Sequence, residues 1–89
     1  MEQIGKNLKG DEIVYDLYCG IGTISLFLAK GAKKIIGIET ISDAIVSARS
    51  NAELNNISNC EFINGDVKDI INKPIKNYEN PDIIIVDPQ

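Results

Sequence analysis

The chain has 89 residues, 44% apolar and 25% charged, and carries a formal net charge of −4 at pH 7. That balance is globular rather than disordered, and the length suits one small domain that removes only about 60–65% of its unfolded surface from water. An acidic surface repels phosphate backbones, so the chain alone is a poor nucleic-acid binder.

No run of about 18 apolar residues is present to span a membrane. Met1–Gly10 carries Glu2, Lys6 and Lys9 without the apolar centre of a signal peptide. Two cysteines, Cys19 and Cys60, without a secretion signal read as free thiols in a reducing cytoplasm. With no histidine and no CxxC, no metal site is expected.

No repeat, low-complexity tract or interdomain linker interrupts an alternation of strand and helix. Ile13–Tyr18 follows the turn-like Gly10-Asp11 and reads as a strand. Thr23–Lys30 carries Ile24, Leu26, Phe27 and Leu28 and stops at Gly31, a favoured position just past a helix end. Lys34–Glu39 is a second strand with a nearly continuous apolar run. A helix follows from Ser42 or Asp43 to about Asn55, with Ile41, Ile45, Ala48 and Ala52 on one face. Ser42 is its expected cap, and Asp43 suits the positive end of the dipole.

Glu61–Asn64 is a short third strand. Asp66–Asn72 is a short helix, with Pro74 against its continuation. Lys76–Pro81 is a loop. Asp82–Asp87 is a fourth strand, and Ile83-Ile84-Ile85-Val86 reads as buried on both faces.

Continuous apolar strands alternating with helices imply a parallel sheet covered on both sides. Joined by right-handed crossovers, these strands give order 3-2-1-4, the N-terminal half of a doubly wound, Rossmann-like α/β fold. Residues 1–89 are therefore expected to be a partial domain, cut after the fourth strand at Asp87-Pro88-Gln89. The open edge of that strand invites self-association.

The strongest motif is Asp16-Leu17-Tyr18-Cys19-Gly20-Ile21-Gly22-Thr23, which leaves the first strand and opens the first helix. Gly20 and Gly22 let backbone turn tightly and approach a ligand at the carboxyl ends of the strands. A dinucleotide loop places a third glycine or an alanine where this chain has Ser25, and its pyrophosphate disfavours an acid such as Asp16. S-adenosylmethionine has no phosphate and carries an ammonium and a sulfonium, so an acid suits it by Coulomb attraction.

Glu39 ends the second strand about 20 residues past the loop, where an acid accepts ribose hydroxyls. Asp66 ends the third strand and is placed to accept the adenine amino group, to cap the next helix, or both. Asp87 ends the fourth. Four acids at four successive strand ends converge on one edge, which points to an adenosine-containing, cationic ligand.

These segments resemble the RNA uracil-5-methyltransferases. The likeness rests on Asp16 to Leu26, Gly37-Ile38-Glu39, Asn51-Ala52 with Asn55, Phe62 with Gly65-Asp66, and Asp87-Pro88, and covers nearly all of the chain from Gly10. It implies a class I S-adenosylmethionine-dependent methyltransferase domain in which Tyr18 and Thr23 line the cofactor pocket, Glu39 holds the ribose, Asp66 meets the adenine side and Asp87 belongs to the motif facing the methyl group and target base. With Asp16, Gly20 and Gly22 from the loop motif, these make up the expected cofactor site. The resemblance implies methyl transfer to C5 of an RNA uridine, with ribosomal RNA, 23S in particular, ahead of transfer RNA.

In the family a cysteine thiolate attacks C6 and a general base later removes the C5 proton. The resemblance places both beyond the fourth strand, and RNA-binding domains before the catalytic one. No catalytic residue is therefore expected in this chain, beyond Asp87 as a base-facing residue, and the chain alone is expected to be inactive. Where the family reads Asp-Pro-Pro-Arg, this chain reads Asp87-Pro88-Gln89. Cys19 belongs to the cofactor loop rather than the nucleophile position, and Cys60 reads as a small buried hydrophobe. Tyr15, Phe27, Phe62 and Tyr78 read as core aromatics.

Two other classes stay open on these residues. One is a class I methyltransferase with a different substrate. The other is a non-catalytic nucleotide-binding module, such as half of a dehydrogenase. A purely structural fragment held by pairing along the fourth strand is a further reading.

Overall fold

A computed structural model describes residues 8–72 and 80–86, with backbone alone for residues 70–72. β1 spans Ile13–Leu17, α1 Thr23–Ala29, β2 Lys34–Glu39, α2 Ser42–Leu54, β3 Cys60–Asn64, α3 Val67–Asn72 and β4 Ile83–Val86. All strand pairs are parallel, in the order β3-β2-β1-β4. The expected loop from Lys76 falls largely outside the described residues, as do Pro74, Tyr78, Asp87, Pro88 and Gln89.

The period of two along each strand builds two cores. Ile13, Tyr15 and Leu17 of β1 share one face with Ile36 and Ile38 of β2 and are met by Val67 of α3. Val14 and Ile35 point the other way and pack under Leu28 and Ala29 of α1, together with Ile85 of β4. On that second face Ile45, Ala48 and Ala52 of α2 close over Phe62 of β3. Val14, Ile35, Ile36 and Ile38 are fully buried. Each such side chain contributes about 1.5–3 kcal/mol by leaving water. The central strands are therefore the most firmly held, and the carboxyl ends they present form a stable platform.

The structure corrects several local expectations. Ile41 is 60% exposed, off the buried stripe of α2, and stands as the helix N-cap without a side-chain bond. Ser42 thus does not cap. Glu39 does related work instead, because its Oε2 accepts the Thr40 and Ile41 N–H groups at 2.9 and 3.1 Å, just before the helix begins. Phe27 is exposed rather than core.

β4 is buried on one face only. Ile85 is covered, but Ile84 and Val86 are 52% and 58% exposed. Both lie on the side of Tyr15 and Leu17. At the opposite end of the sheet Asp82 closes the β1–β4 pair. Its Oδ2 accepts the Ile13 N–H at 2.8 Å, and its own N–H donates to the Ile13 carbonyl at 2.8 Å.

Candidate functional site

All four strands are parallel, so their carboxyl ends lie along one edge. There the loop Tyr18–Gly22 rises from β1, Glu39 ends β2, and Asn64-Gly65-Asp66 ends β3. Tyr18, Gly20 and Gly22 take φ of 58°, 58° and 84°. Glycine reaches this left-handed region without a Cβ clash, whereas Tyr18 adopts it at a cost of about 1–3 kcal/mol. Such strain concentrates where a surrounding framework overdetermines the backbone.

That framework is a series of hydrogen bonds across three strand ends. The Cys19 N–H donates to the Ile38 carbonyl at 3.1 Å, tying the loop to β2. The Gly20 N–H donates to Glu39 Oε1 at 2.9 Å, and the Gly22 N–H closes the turn on the Cys19 carbonyl at 3.0 Å. From β3, the Gly65 N–H donates to the Glu39 carbonyl at 3.0 Å. The Asn64 side-chain amide donates to the Glu39 and Thr40 carbonyls at 3.1 and 3.0 Å. From α2, the Asn51 amide donates to the Ile21 carbonyl at 3.3 Å. Glu39 is therefore the hub between loop, β2 and α2, and it is only 4% exposed.

Asp16 lies lower. It is fully buried, on the face under α1, and accepts the hydroxyl of the equally buried Ser25 at 2.7 Å. A buried carboxylate is tolerated only when donors satisfy it. Ser25, in place of a dinucleotide loop's third glycine, thus satisfies one oxygen of this acid beneath the loop. The Cys19 thiol reports the resulting field. Burial, then the charges of Asp16 and Glu39, push its pKa up to about 12. Burial, then Asp16, push Cys60 to about 11. Both thiols stay protonated at neutral pH, the wrong state for a nucleophile.

The structure brings most of the sequence-derived candidates together. Tyr18, Gly20, Gly22, Thr23 and Glu39 share the β1–β2 end, with Tyr18 41% exposed there. Asp66 is exposed one element further, and its Oδ1 accepts the Lys68 N–H at 2.9 Å in the first turn of α3, as a helix cap does. Asp87 lies outside the described residues.

Sequence reasoning missed the clamping roles of Asn51, Asn64 and Ser25. The signals available were Asn64 at the end of a strand, Asn51 among the family-like residues and Ser25 at the loop's third-glycine position. Two open cavities of about 510 and 520 Å³ lie elsewhere, one along β3 by Arg49 and Glu61, the other between α1 and α2. Neither contains the strand-end acids.

The loop amides decide which ligand chemistry suits this edge. A pyrophosphate site needs backbone N–H groups free to face the anion. Here the Cys19, Gly20 and Gly22 N–H groups are all spent within the protein, and two buried acids lie beneath them. The donor set suits a ligand with hydroxyls and positive charge.

A doubly wound parallel sheet with a glycine loop after β1 and an acid ending β2 defines a nucleotide-cofactor-binding α/β domain. Comparison with known proteins narrows this class. A family model described as a methyltransferase domain matches residues 8–88, and the chain belongs to that family.

A Clostridium tetani protein named an uncharacterized RNA methyltransferase is 50% identical over 82 residues, which is 92% of this chain and 18% of that protein. The chain therefore spans about a fifth of the length of such relatives. The Pyrococcus abyssi tRNA (uracil-54, C5)-methyltransferase, solved with S-adenosyl-L-homocysteine, superposes with a TM-score of 0.75 at 30% identity, over 99% of this chain and 20% of that one. SMU.1697c of Streptococcus mutans, solved with SAH, superposes with a TM-score of 0.80 at 27% identity, over 96% of this chain and 47% of that one. No helix among the described residues is long and apolar enough to cross a membrane.

Proposed function

We propose that this chain is the cofactor-binding part of an S-adenosylmethionine-dependent RNA methyltransferase, and that the whole protein methylates C5 of a uridine. One observation carries the cofactor assignment: three amides of the glycine loop, those of Cys19, Gly20 and Gly22, bond within the protein over two buried acids, Asp16 and Glu39. That arrangement opposes a pyrophosphate and favours a cationic ligand. Membership of the methyltransferase domain family and the likeness to two structures solved with S-adenosylhomocysteine support the same ligand.

In this reading Tyr18, Gly20, Gly22 and Thr23 form the loop wall of the pocket. Glu39 accepts the ribose hydroxyls. Each of its oxygens is already bonded, yet an ionised carboxylate has about four acceptor positions, so capacity is left. Asp66 faces the adenine side, and Asp87, outside the described residues, is assigned to the reacting end on the resemblance alone. Asp16 acts from below, through its charge. When bound, S-adenosylmethionine supplies an electrophilic methyl group on its sulfonium. This chain's residues hold and orient that group, and neither protonated thiol serves as a nucleophile.

The Asp-Leu-Tyr-Cys-Gly form of the loop supports uracil C5, as does the 30% identity to the Pyrococcus abyssi enzyme named for that position. RNA as substrate is supported by the Clostridium tetani relative's name. Ribosomal RNA is the proposed target and the cytoplasm the proposed compartment, the latter supported by two free cysteines.

The test is an amide NMR titration of the chain with S-adenosylhomocysteine, with NAD as control. Shifts at Tyr18, Gly20, Gly22, Glu39 and Asp66 with S-adenosylhomocysteine alone are expected. Shifts with NAD alone would overturn the assignment.

A further inference from the structure

Beneath the cofactor loop lies an aromatic ring that makes no hydrogen bond to it. We infer that Phe62 is a positioning residue for this site: its ring sets how closely the Tyr18–Gly22 loop lies on β2. The inference rests on the reading of that loop as a cofactor-binding element.

Phe62 is 5% exposed. A Cβ on Gly22 would meet its Cε1 and Cζ at 2.9 Å, and a Cβ on Gly37 would meet its Cδ1 at 2.6 Å. The ring thus fills the volume left by two glycines, one in the loop and one in the middle of β2. Gly37 shows no left-handed φ, so space and not backbone freedom is what its missing side chain supplies there. Cys19 Sγ, 2.9 Å from the same Cβ position, bounds the gap from the loop side.

Phe62 is itself held from three directions. It pairs with Gly37 in the β2–β3 ladder. Its carbonyl accepts the Arg49 guanidinium of α2 at 2.9 Å. Ile45, Ala48 and Ala52 pack over its ring. The loop's first half is tethered to β2 through Cys19 and Gly20, whereas Gly22 lies over the ring with no room for a side chain between them. Changing the ring therefore moves the Gly22 end relative to Glu39, and with it the geometry a bound ribose and methionine moiety would meet.

The experiment compares Phe62→Leu, Phe62→Met, Gly37→Ala and the double variant Gly37→Ala/Phe62→Leu with wild type. Affinity for S-adenosylhomocysteine is measured calorimetrically at a temperature where circular dichroism shows each variant folded. Ligand-free amide residual dipolar couplings of Gly20, Gly22 and Thr23, which report N–H orientation and not the ring current of Phe62, are recorded beside it.

Phe62→Leu is expected to weaken binding about tenfold and to change the Gly20 and Gly22 amide couplings. Phe62→Met, which fills the gap better, is expected to lose less. Gly37→Ala is expected to weaken binding similarly, and the double variant to regain part of that loss because the ring is gone. The Cys19 sulfur still limits full recovery.

Wild-type affinity with unmoved loop amides in Phe62→Leu would overturn the inference, as would a double variant no better than Gly37→Ala. If wild type fails to bind S-adenosylhomocysteine, the cofactor reading falls. The ligand-free couplings still decide whether Phe62 places the loop.

Discussion

Glu39→Gln isolates the hub of the site with almost no change in volume. In the native chain Oε1 takes the Gly20 N–H at 2.9 Å, while Oε2 takes the Thr40 and Ile41 N–H groups at 2.9 and 3.1 Å. Glutamine keeps one acceptor and turns the other into a donor. The better placement keeps its oxygen on Thr40 and Ile41 and sets an NH₂ against the Gly20 N–H. A hydrogen bond to a charged group contributes about 1.5–3 kcal/mol, and an amide is cheaper to bury than a carboxylate. The net loss comes to about 2 kcal/mol, without a screening discount because Glu39 is 4% exposed.

That loss is about a thirtyfold fall in the folded-to-unfolded ratio. With a urea m-value of about 1 kcal/mol/M for so small a domain, the midpoint should drop by about 2 M. Urea denaturation followed by circular dichroism reads this directly. Exchange of the Gly20 amide should quicken at the same time. A midpoint shift under about 0.5 M at unchanged m would refute the view that Glu39 holds the loop to the sheet.

Four further outcomes are expected. Ser25→Ala removes the 2.7 Å bond to fully buried Asp16 and should cost about 2–3 kcal/mol in denaturant titration, with Asp16→Asn in the same chain recovering part of it. Gly22→Ala forces a Cβ into a φ of 84° and to 2.9 Å from the Phe62 ring, so its thermal midpoint should fall by more than about 10 °C.

The thiols give a pH dependence with a definite sign. Folding raises the Cys19 pKa from 9.0 to about 12, so the stability it contributes is complete below about pH 9 and lost between 9 and 12. Denaturation profiles across that range should fall more steeply in wild type than in Cys19→Ala. Disulfide-reagent labelling at pH 8 should be at least about a hundredfold slower in the native chain than in urea.

The sequence alone determined the alternation of strand and helix and the parallel order. Lys34–Glu39 was legible because consecutive β-branched residues leave few other structures open to them. Glu39 was legible because its distance from the glycine loop is set by the length of one strand–helix–strand unit. Gly20 and Gly22 announced a backbone that other residues rarely adopt.

Tertiary structure decided the remainder. Asp16 reads as a strand-end acid, yet the period of two puts it on the face of Val14, where α1 covers it and Ser25 meets it. Four consecutive branched residues in β4 suggest two covered faces, yet the described helices cover one. Phe62 reads correctly as core, but nothing in one dimension shows that two distant glycines share its ring. Local pattern carries dihedral preference, periodicity and charge. Which face is covered, and which distant groups meet, depends on the packing of elements that the pattern specifies only one at a time.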